Sequence, residues 1–290
     1  MSENKPFGDL FLSVGASKCG TTWLYWVMAS HPELHFTPEK ELHYFHYKYG
    51  QEAILSNERR LQNATARVLS RIDPARSDIH QVRRNLRFLD AYLNEPINDI
   101  WYANLFRAKR RGTYSCDFSN FSALLPAQAW PEIAANCDKL RVLFTMRDPM
   151  DRLWSHVKFH LQVTGQVDKL DTWSPEEFRT FARRPFIWDN CEYGVALRKM
   201  TAGLRPEMLH VQYYEDLFLD TGATLGALES FLGIAPRSYP SDRLERKVNA
   251  TLERPMPDFF PDLFGPDLDR IASEVEDLGY TLQKSWRRWG

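Results

Sequence analysis

The sequence predicts an α/β fold: a central, mainly parallel sheet in a three-layer arrangement, with helices on both faces. Three observations predict it. The stretch Leu10–Trp23 reads as strand, small-residue loop and helix. A second apolar run, residues 139–148, ends in Arg147-Asp148 before Pro149, the signature of a helix start. Along the rest of the chain, short apolar runs alternate with segments of helical spacing, the pattern of strands joined by crossover helices. The 290 residues are 43% hydrophobic and include 18 Phe, 12 Tyr and 9 Trp, enough for a sizeable core. No repeat or break in composition divides them, so residues 1–290 are expected to form one domain.

In chain order, residues 9–14 form the first strand and residues 20–30 the first helix, which ends at Ser30-His31-Pro32 because proline cannot continue it. Glu41–Phe45 reads as a short extended segment. Residues 51–95 are polar and arginine-rich with helical spacing, and predict two or three helices laid over the sheet as a lid or acceptor-site insertion. Residues 112–118 (GTYSCDF) predict a second core strand, and PAQAWPEIAANC a short helix. Residues 139–148 are the clearest buried strand. Helices follow at 175–184 and 189–203, a strand within 208–217, and a helix at 220–232. The run from Pro236 to Phe264 reads as loop, followed by a last amphipathic helix carrying Leu268, Ile271, Val275 and Leu278.

The chemistry concentrates at the ends of the predicted strands. After Val14 come Gly15, Ala16, Ser17, Lys18, Cys19, Gly20, Thr21, Thr22 and Trp23. In such a turn the backbone N–H groups face an anion, lysine adds a point charge and the hydroxyls donate hydrogen bonds. Lys18 precedes Gly20, which departs from the GxxxxGK[ST] order of ATPases. The strand within 139–148 ends in Arg147, and Ser155 lies eight residues on, just over two helical turns. An arginine at a strand end and a serine on the next helix can hold a phosphate from two sides. Glu41 and His43 alternate with Leu42 and Tyr44, so in an extended segment both face one side, where either can take a proton. Asp117 stands at the end of the second core strand.

SKCGTTW resembles the 5′-phosphosulfate loop, commonly PKSGTTW, of the sulfotransferases that use 3′-phosphoadenosine 5′-phosphosulfate (PAPS). The resemblance runs from Phe11 to about Asn249 and places the chain nearer the carbohydrate-type and bacterial members. It implies that Lys18, Cys19, Gly20, Thr21 and Thr22 hold the phosphosulfate and that Trp23 approaches the adenine. Arg147 and Ser155 match the family's 3′-phosphate motif, with Arg152 between them as a further charge. PEKELHYF resembles the segment that supplies a catalytic Glu in carbohydrate-type members, which puts Glu41 in that role and keeps His43 as the fallback base. The aromatic segment beginning at His43 and Tyr44 would shape the acceptor pocket. Asp117 would orient Lys18 or bind acceptor, although Asn120 stands where relatives often have proline. Tyr193, in NCEYGVALRKM, would line the nucleotide site. Arg246 and Lys247 match a late segment that closes over the 3′-phosphate. The implied reaction moves a sulfuryl group to a hydroxyl or amine of a small-molecule or carbohydrate acceptor, with PAP as product.

The alternative is a phosphate-loop kinase acting on a small molecule. Such enzymes have a hydrophobic strand ending in an aspartate that positions Mg²⁺. Here that strand ends in Arg147, which suits a second phosphate on the donor, so no metal requirement is expected. A third class is a nucleotide-binding scaffold without turnover. The 37 Lys and Arg against 38 Asp and Glu leave a net charge of −1, which gives no global attraction to nucleic acid or anionic membranes. The arginines of 59–87 are interspersed with Asp and Glu and read as a solvated helical face, with the grip of an anionic acceptor as the other use. The absence of an apolar span, a signal-like start and any paired cysteine spacing leads us to expect a cytoplasmic protein with reduced thiols.

Overall fold

The structure is a computed structural model that describes residues 5–50, 52–246, 248 and 252–286. Strand β1 (Asp9–Gly15) runs through the middle of the sheet and is apolar on both sides for that reason. Leu10, Leu12 and Val14 enter one core while Phe11 enters the other, the two-residue alternation of a strand. Helix α1 (Thr21–Met28) follows, then β2 (Leu34–Phe36), α2 (Tyr44–Lys48), α3 (Asn57–Arg67), α4 (Ile79–Tyr92) and α5 (Asp99–Asn104). Next come β3 (Tyr114–Asp117), α6 (Ala129–Ala135), β4 (Lys139–Met146) and α7 (Pro149–Val163). Asp148 caps α7, accepting from the Met150 and Asp151 amides with Pro149 in the first turn, as the sequence predicts.

The remainder is α8 (Lys169–Thr172), α9 (Pro175–Ala182), α10 (Pro185–Trp188), α11 (Tyr193–Thr201), β5 (Leu209–Tyr213), α12 (Asp216–Leu219), α13 (Thr221–Leu232), α14 (Ser241–Leu244) and α15 (Phe260–Asp277). The five strands are all parallel in the order β2-β3-β1-β4-β5. Side chains of α1 and α13 pack on one face, and those of α2, α4, α7, α11 and α15 pack on the other. Because every strand runs the same way, Gly15, Asp117, Met146 and Tyr213 end on one rim, where ligands of open α/β sheets bind. The 51–95 segment folds into helices as expected. Ala64, Val68, Phe88 and Leu89 join its inner face to the main core.

Two expectations fail locally. Glu41–Phe45 is not an extended segment: His43 takes a left-handed conformation (φ 55°) and caps α2, which begins at Tyr44. The outer strand of the sheet is Leu34–Phe36 instead, paired with Tyr114–Cys116. The Pro236–Phe264 run is not all loop. It holds α14, and the last helix starts at Phe260, because Phe260 and Phe264 extend the buried stripe of Leu268, Ile271 and Val275 by two turns. Pro266 is accommodated inside that helix.

Candidate functional site

The loop between β1 and α1 is held from three sides. The Ala16 amide donates to Thr145 O (2.8 Å) and the Ser17 amide to Asn190 Oδ1 (3.1 Å). Gly20 has φ +76°, and a Cβ there would lie 3.0 Å from Leu217 Cδ1 and 3.1 Å from Tyr214 Cδ2, so both the conformation and the close approach favour glycine. Lys18 also sits at positive φ (71°), uncommon for a residue with a side chain. Its ammonium stands over the Phe159 ring at 4.1 Å. Burial first, and then the Arg147 guanidinium, pull the Lys18 ammonium down to about 8.

Arg147 donates to the Lys18 carbonyl (3.3 Å) and lies on the Tyr214 ring at 4.3 Å. Lys158, on α7, donates to the carbonyls of Leu252 and Arg254. Their close contacts are ring faces and carbonyls, and the carboxylates within electrostatic range are Asp151 for Lys158 and Glu215 for Arg147. Ser155 lies one turn before Phe159, on the face of α7 turned toward Lys18, and its side chain makes no hydrogen bond among the described residues. Three cations this close repel one another more than the nearby Asp151 and Glu215 offset, which suits a multiply charged anion.

Other side chains named from the sequence lie behind this wall. Arg152 is fully buried and spent on His156 Nδ1, Ile187 O and Cys191 Sγ, so it does not reach the crevice beside Arg147. Cys19 is fully buried, and burial pushes its thiol up to about 12. Its backbone remains in the loop, but the side chain is a neutral packing group. Tyr193 is buried and donates to the Arg147 carbonyl (2.9 Å), bracing the strand end from below. Trp23 is buried, donates from Nε1 to Leu244 O (3.0 Å) and packs on the half-exposed Phe218. Arg246 rests on the Trp26 ring at 4.9 Å, on the flank of α1. Lys247 lies outside the described residues.

Across the loop stands a second cluster. Glu41 Oε1 accepts from Lys40 Nζ (2.9 Å) and from Asn120 Nδ2 (3.1 Å), and Glu41 Oε2 faces His43 Nε2 at 3.3 Å. Asn120 Oδ1 in turn accepts from Thr21 Oγ1 (2.9 Å), so the carboxylate is tied to the first turn of α1. Burial alone would raise the Glu41 carboxyl, but the Lys40 ammonium and the His43 ring together hold it well below the usual carboxylate range. His43 stacks on Phe121 at 5.4 Å, and His46 leans on the same ring. Burial, with His43 beside it, lowers His46 to about 4.

Asp117 and Tyr44 belong to the layer beneath. Asp117 is 1% exposed. It accepts from Ser119 Oγ (2.5 Å) and Tyr102 OH (3.1 Å), and burial pushes it up to about 6. Ser119 Oγ accepts from the His43 amide (2.9 Å), so Asp117 supports the turn that presents His43 and does not face the crevice. Tyr44 is buried, stacked on Tyr102 and bonded to Asp99. Sequence reasoning missed Lys40 and Asn120 as members of the site. Lys40 adjoins Glu41 in the quoted segment, and Asn120 is itself the departure from the usual proline, so both signals were present.

A parallel sheet whose rim carries a glycine-bounded strand–loop–helix turn and a cluster of cations defines a class of α/β proteins built to hold a phosphate-like anion. Within that class, the family model described as the sulfotransferase family matches residues 11–237, and the chain belongs to this family. Solved structures agree in fold. A sulfotransferase from Alicyclobacillus acidocaldarius is 19% identical with a TM-score of 0.63, over 97% of this chain and 99% of that one. The sulfotransferase domain from the curacin biosynthetic pathway is 14% identical with a TM-score of 0.55, over 95% of this chain and 99% of that one. Sulfotransferase STF9 from Mycobacterium avium is 11% identical with a TM-score of 0.52, over 97% of this chain and 79% of that one. No curated protein matches the chain. No helix among the described residues is long and apolar enough to cross a membrane.

Proposed function

We propose that this protein transfers the sulfuryl group of PAPS to a hydroxyl or amine of a small-molecule or carbohydrate acceptor, by in-line displacement with Glu41 as general base. One observation carries the reading: Asn120 joins Glu41 to Thr21, which holds a carboxylate across the crevice from a cationic, phosphate-type loop. The cation set fits a donor with a phosphosulfate at one end and a separate phosphate at the other. Lys18 and the loop amides stabilise the phosphate oxygen from which the sulfuryl sulfur departs. Arg147 and Ser155 hold the second phosphate. The bond between sulfur and the bridging oxygen breaks as the acceptor oxygen or nitrogen bonds to sulfur, and the acceptor's proton passes to Glu41.

The electrostatics of Glu41 fit this sequence of events. Paired with Lys40, it is ionised at neutral pH and able to accept a proton. Lys40 Nζ also lies 3.4 Å from Thr21 Oγ1, at the edge of the loop. An anion in the loop draws Lys40 away from Glu41, and the carboxylate then becomes the stronger base that proton transfer needs. The test has two arms. PAP should raise the melting temperature well beyond ADP or ATP, and labelled PAPS should pass its sulfur to an acceptor pool in the presence of EDTA. Equal shifts with ADP and PAP, together with activity that requires Mg²⁺, would instead identify phosphoryl transfer.

A further inference from the structure

A groove of about 1030 Å³ runs along the free edge of β2, between α1 on one side and α3 and α4 on the other. Six arginines line it: Arg67, Arg71, Arg84, Arg87, Arg107 and Arg243. They face a single lining carboxylate, Asp78, which is occupied in capping α4 through the His80 amide. In a chain of net charge −1 this is a strong local excess of positive charge. The arginines do not decorate one solvated helix face. They arrive from α3, α4, the segments after α3 and α5, and α14, and they converge on one hollow.

Few of these charges are compensated. Arg67 pairs with Glu39 and Arg107 with Asp90. Arg84 donates to the neutral Gln81 side chain and Arg243 to the Trp26 carbonyl. The exposed side chains of Arg71 and Arg87 make no hydrogen bond or ion pair among the described residues. One wall of the groove belongs to the segment that carries Glu41. Thr37 and Pro38 form part of its wall, and Glu41 lies three residues beyond Pro38, no more than about 11 Å of chain. Its opposite wall is α1, whose first turn carries Thr21.

We propose that the groove binds the anionic part of the acceptor: an extended molecule bearing several sulfate, phosphate or carboxylate groups, laid along β2 so that its reacting hydroxyl or amine reaches Glu41. Guanidinium groups suit such oxyanions because each can donate two parallel hydrogen bonds. The proposal rests on the sulfotransferase reading for the direction in which the ligand points. Its test reads binding, so the two can fail separately.

The probe is a labelled dextran sulfate oligomer of about eight sugars, titrated by fluorescence anisotropy against the full chain saturated with PAP, with neutral dextran of equal length as control. The sulfated oligomer should bind, weaken as salt rises and leave the neutral one unbound. Arg71→Ala/Arg87→Ala should weaken it by about tenfold or more while leaving the melting temperature and the PAP shift unchanged. The control Arg83→Ala/Arg110→Ala removes the same charge outside the groove and should change affinity by less than about threefold. Equal losses in both double variants, binding that PAP abolishes, equal binding of neutral dextran, or tighter binding of an oligonucleotide of matched charge would each overturn the proposal. A failed PAP shift with intact groove binding would strike only the donor reading.

Discussion

Replacing Glu41 with glutamine isolates the proton-accepting role from everything else the side chain does. The amide keeps an oxygen where Oε1 accepts from Lys40 and Asn120, so the link through Asn120 to Thr21 survives. The substitution removes the negative charge and the lone pair that would take the acceptor's proton. General-base loss typically costs about 10² to 10⁴ in rate, so turnover should fall by that factor, about 3 to 5 kcal/mol of transition-state stabilisation. The fold should tolerate the change. The Lys40 and Glu41 side chains are 12% and 28% exposed, so leaving Lys40 without its partner costs less than the roughly 3 to 5 kcal/mol of a fully buried pair. The assay is single-turnover transfer from labelled PAPS, with the PAP-induced melting shift measured on the same sample. A lost rate with a retained shift supports the argument. Full turnover in Glu41→Gln would refute it, and a loss confined to His43→Gln would move the base to the imidazole 3.3 Å away.

Two further perturbations test the loop. With Lys18 at about 8, the free enzyme loses that cation as pH rises through this value, so kcat/KM should show a basic limb near pH 8 that Lys18→Arg removes. The same lowered value means that the folded apo protein is destabilised relative to the unfolded chain while Lys18 is protonated in both. Its contribution to apo stability therefore improves as pH rises from about 8 toward the usual lysine range near 10.4, whereas PAP-bound protein should lack that trend. Gly20→Ala places a Cβ 3.0 Å from Leu217 Cδ1 at a left-handed φ and should cost about 1 to 3 kcal/mol, read as a lowered urea midpoint with unchanged slope. An unshifted midpoint would mean that the loop adjusts freely.

Much of this architecture was legible in the chain. β1 and β4 are largely apolar runs because both sheet faces are covered, and the Asp148-Pro149 start of α7 is a local signal. The strand Leu34–Phe36 was not legible, since three residues at a sheet edge carry no periodicity and take their conformation from β3. The Glu41 segment was misread for a related reason. Alternation suggested an extended run, whereas the conformation of His43 is set by the Ser119 contact to its amide, a partner 76 residues away. Asp117, Tyr193 and Arg152 were read from their motifs as site residues, and their side chains are buried and bonded beneath the crevice. Whether a side chain faces a crevice or braces it from below depends on the sheet face and helix packing, which spacing alone does not specify.

Asn120 shows how a departure from a family's pattern can carry information. Proline at that position could offer neither a donor nor an acceptor side chain. Asparagine offers both, and here it uses Nδ2 on Glu41 and Oδ1 on Thr21. Its backbone carbonyl is also the atom a Cβ on Gly15 would strike, at 2.7 Å, so the same residue fixes the entry to the loop. Lys40 reaches the same two groups from the other side, Glu41 at 2.9 Å and Thr21 at 3.4 Å. Glu41 and Thr21 are thus bridged twice, once by a neutral amide whose geometry persists at any pH and once by a movable cation. The amide holds the base at a set distance from the loop. On the proposed mechanism the cation shifts from the carboxylate toward the anion once the loop is filled. On the proposed mechanism this arrangement neutralises Glu41 until donor arrives and raises its basicity only then.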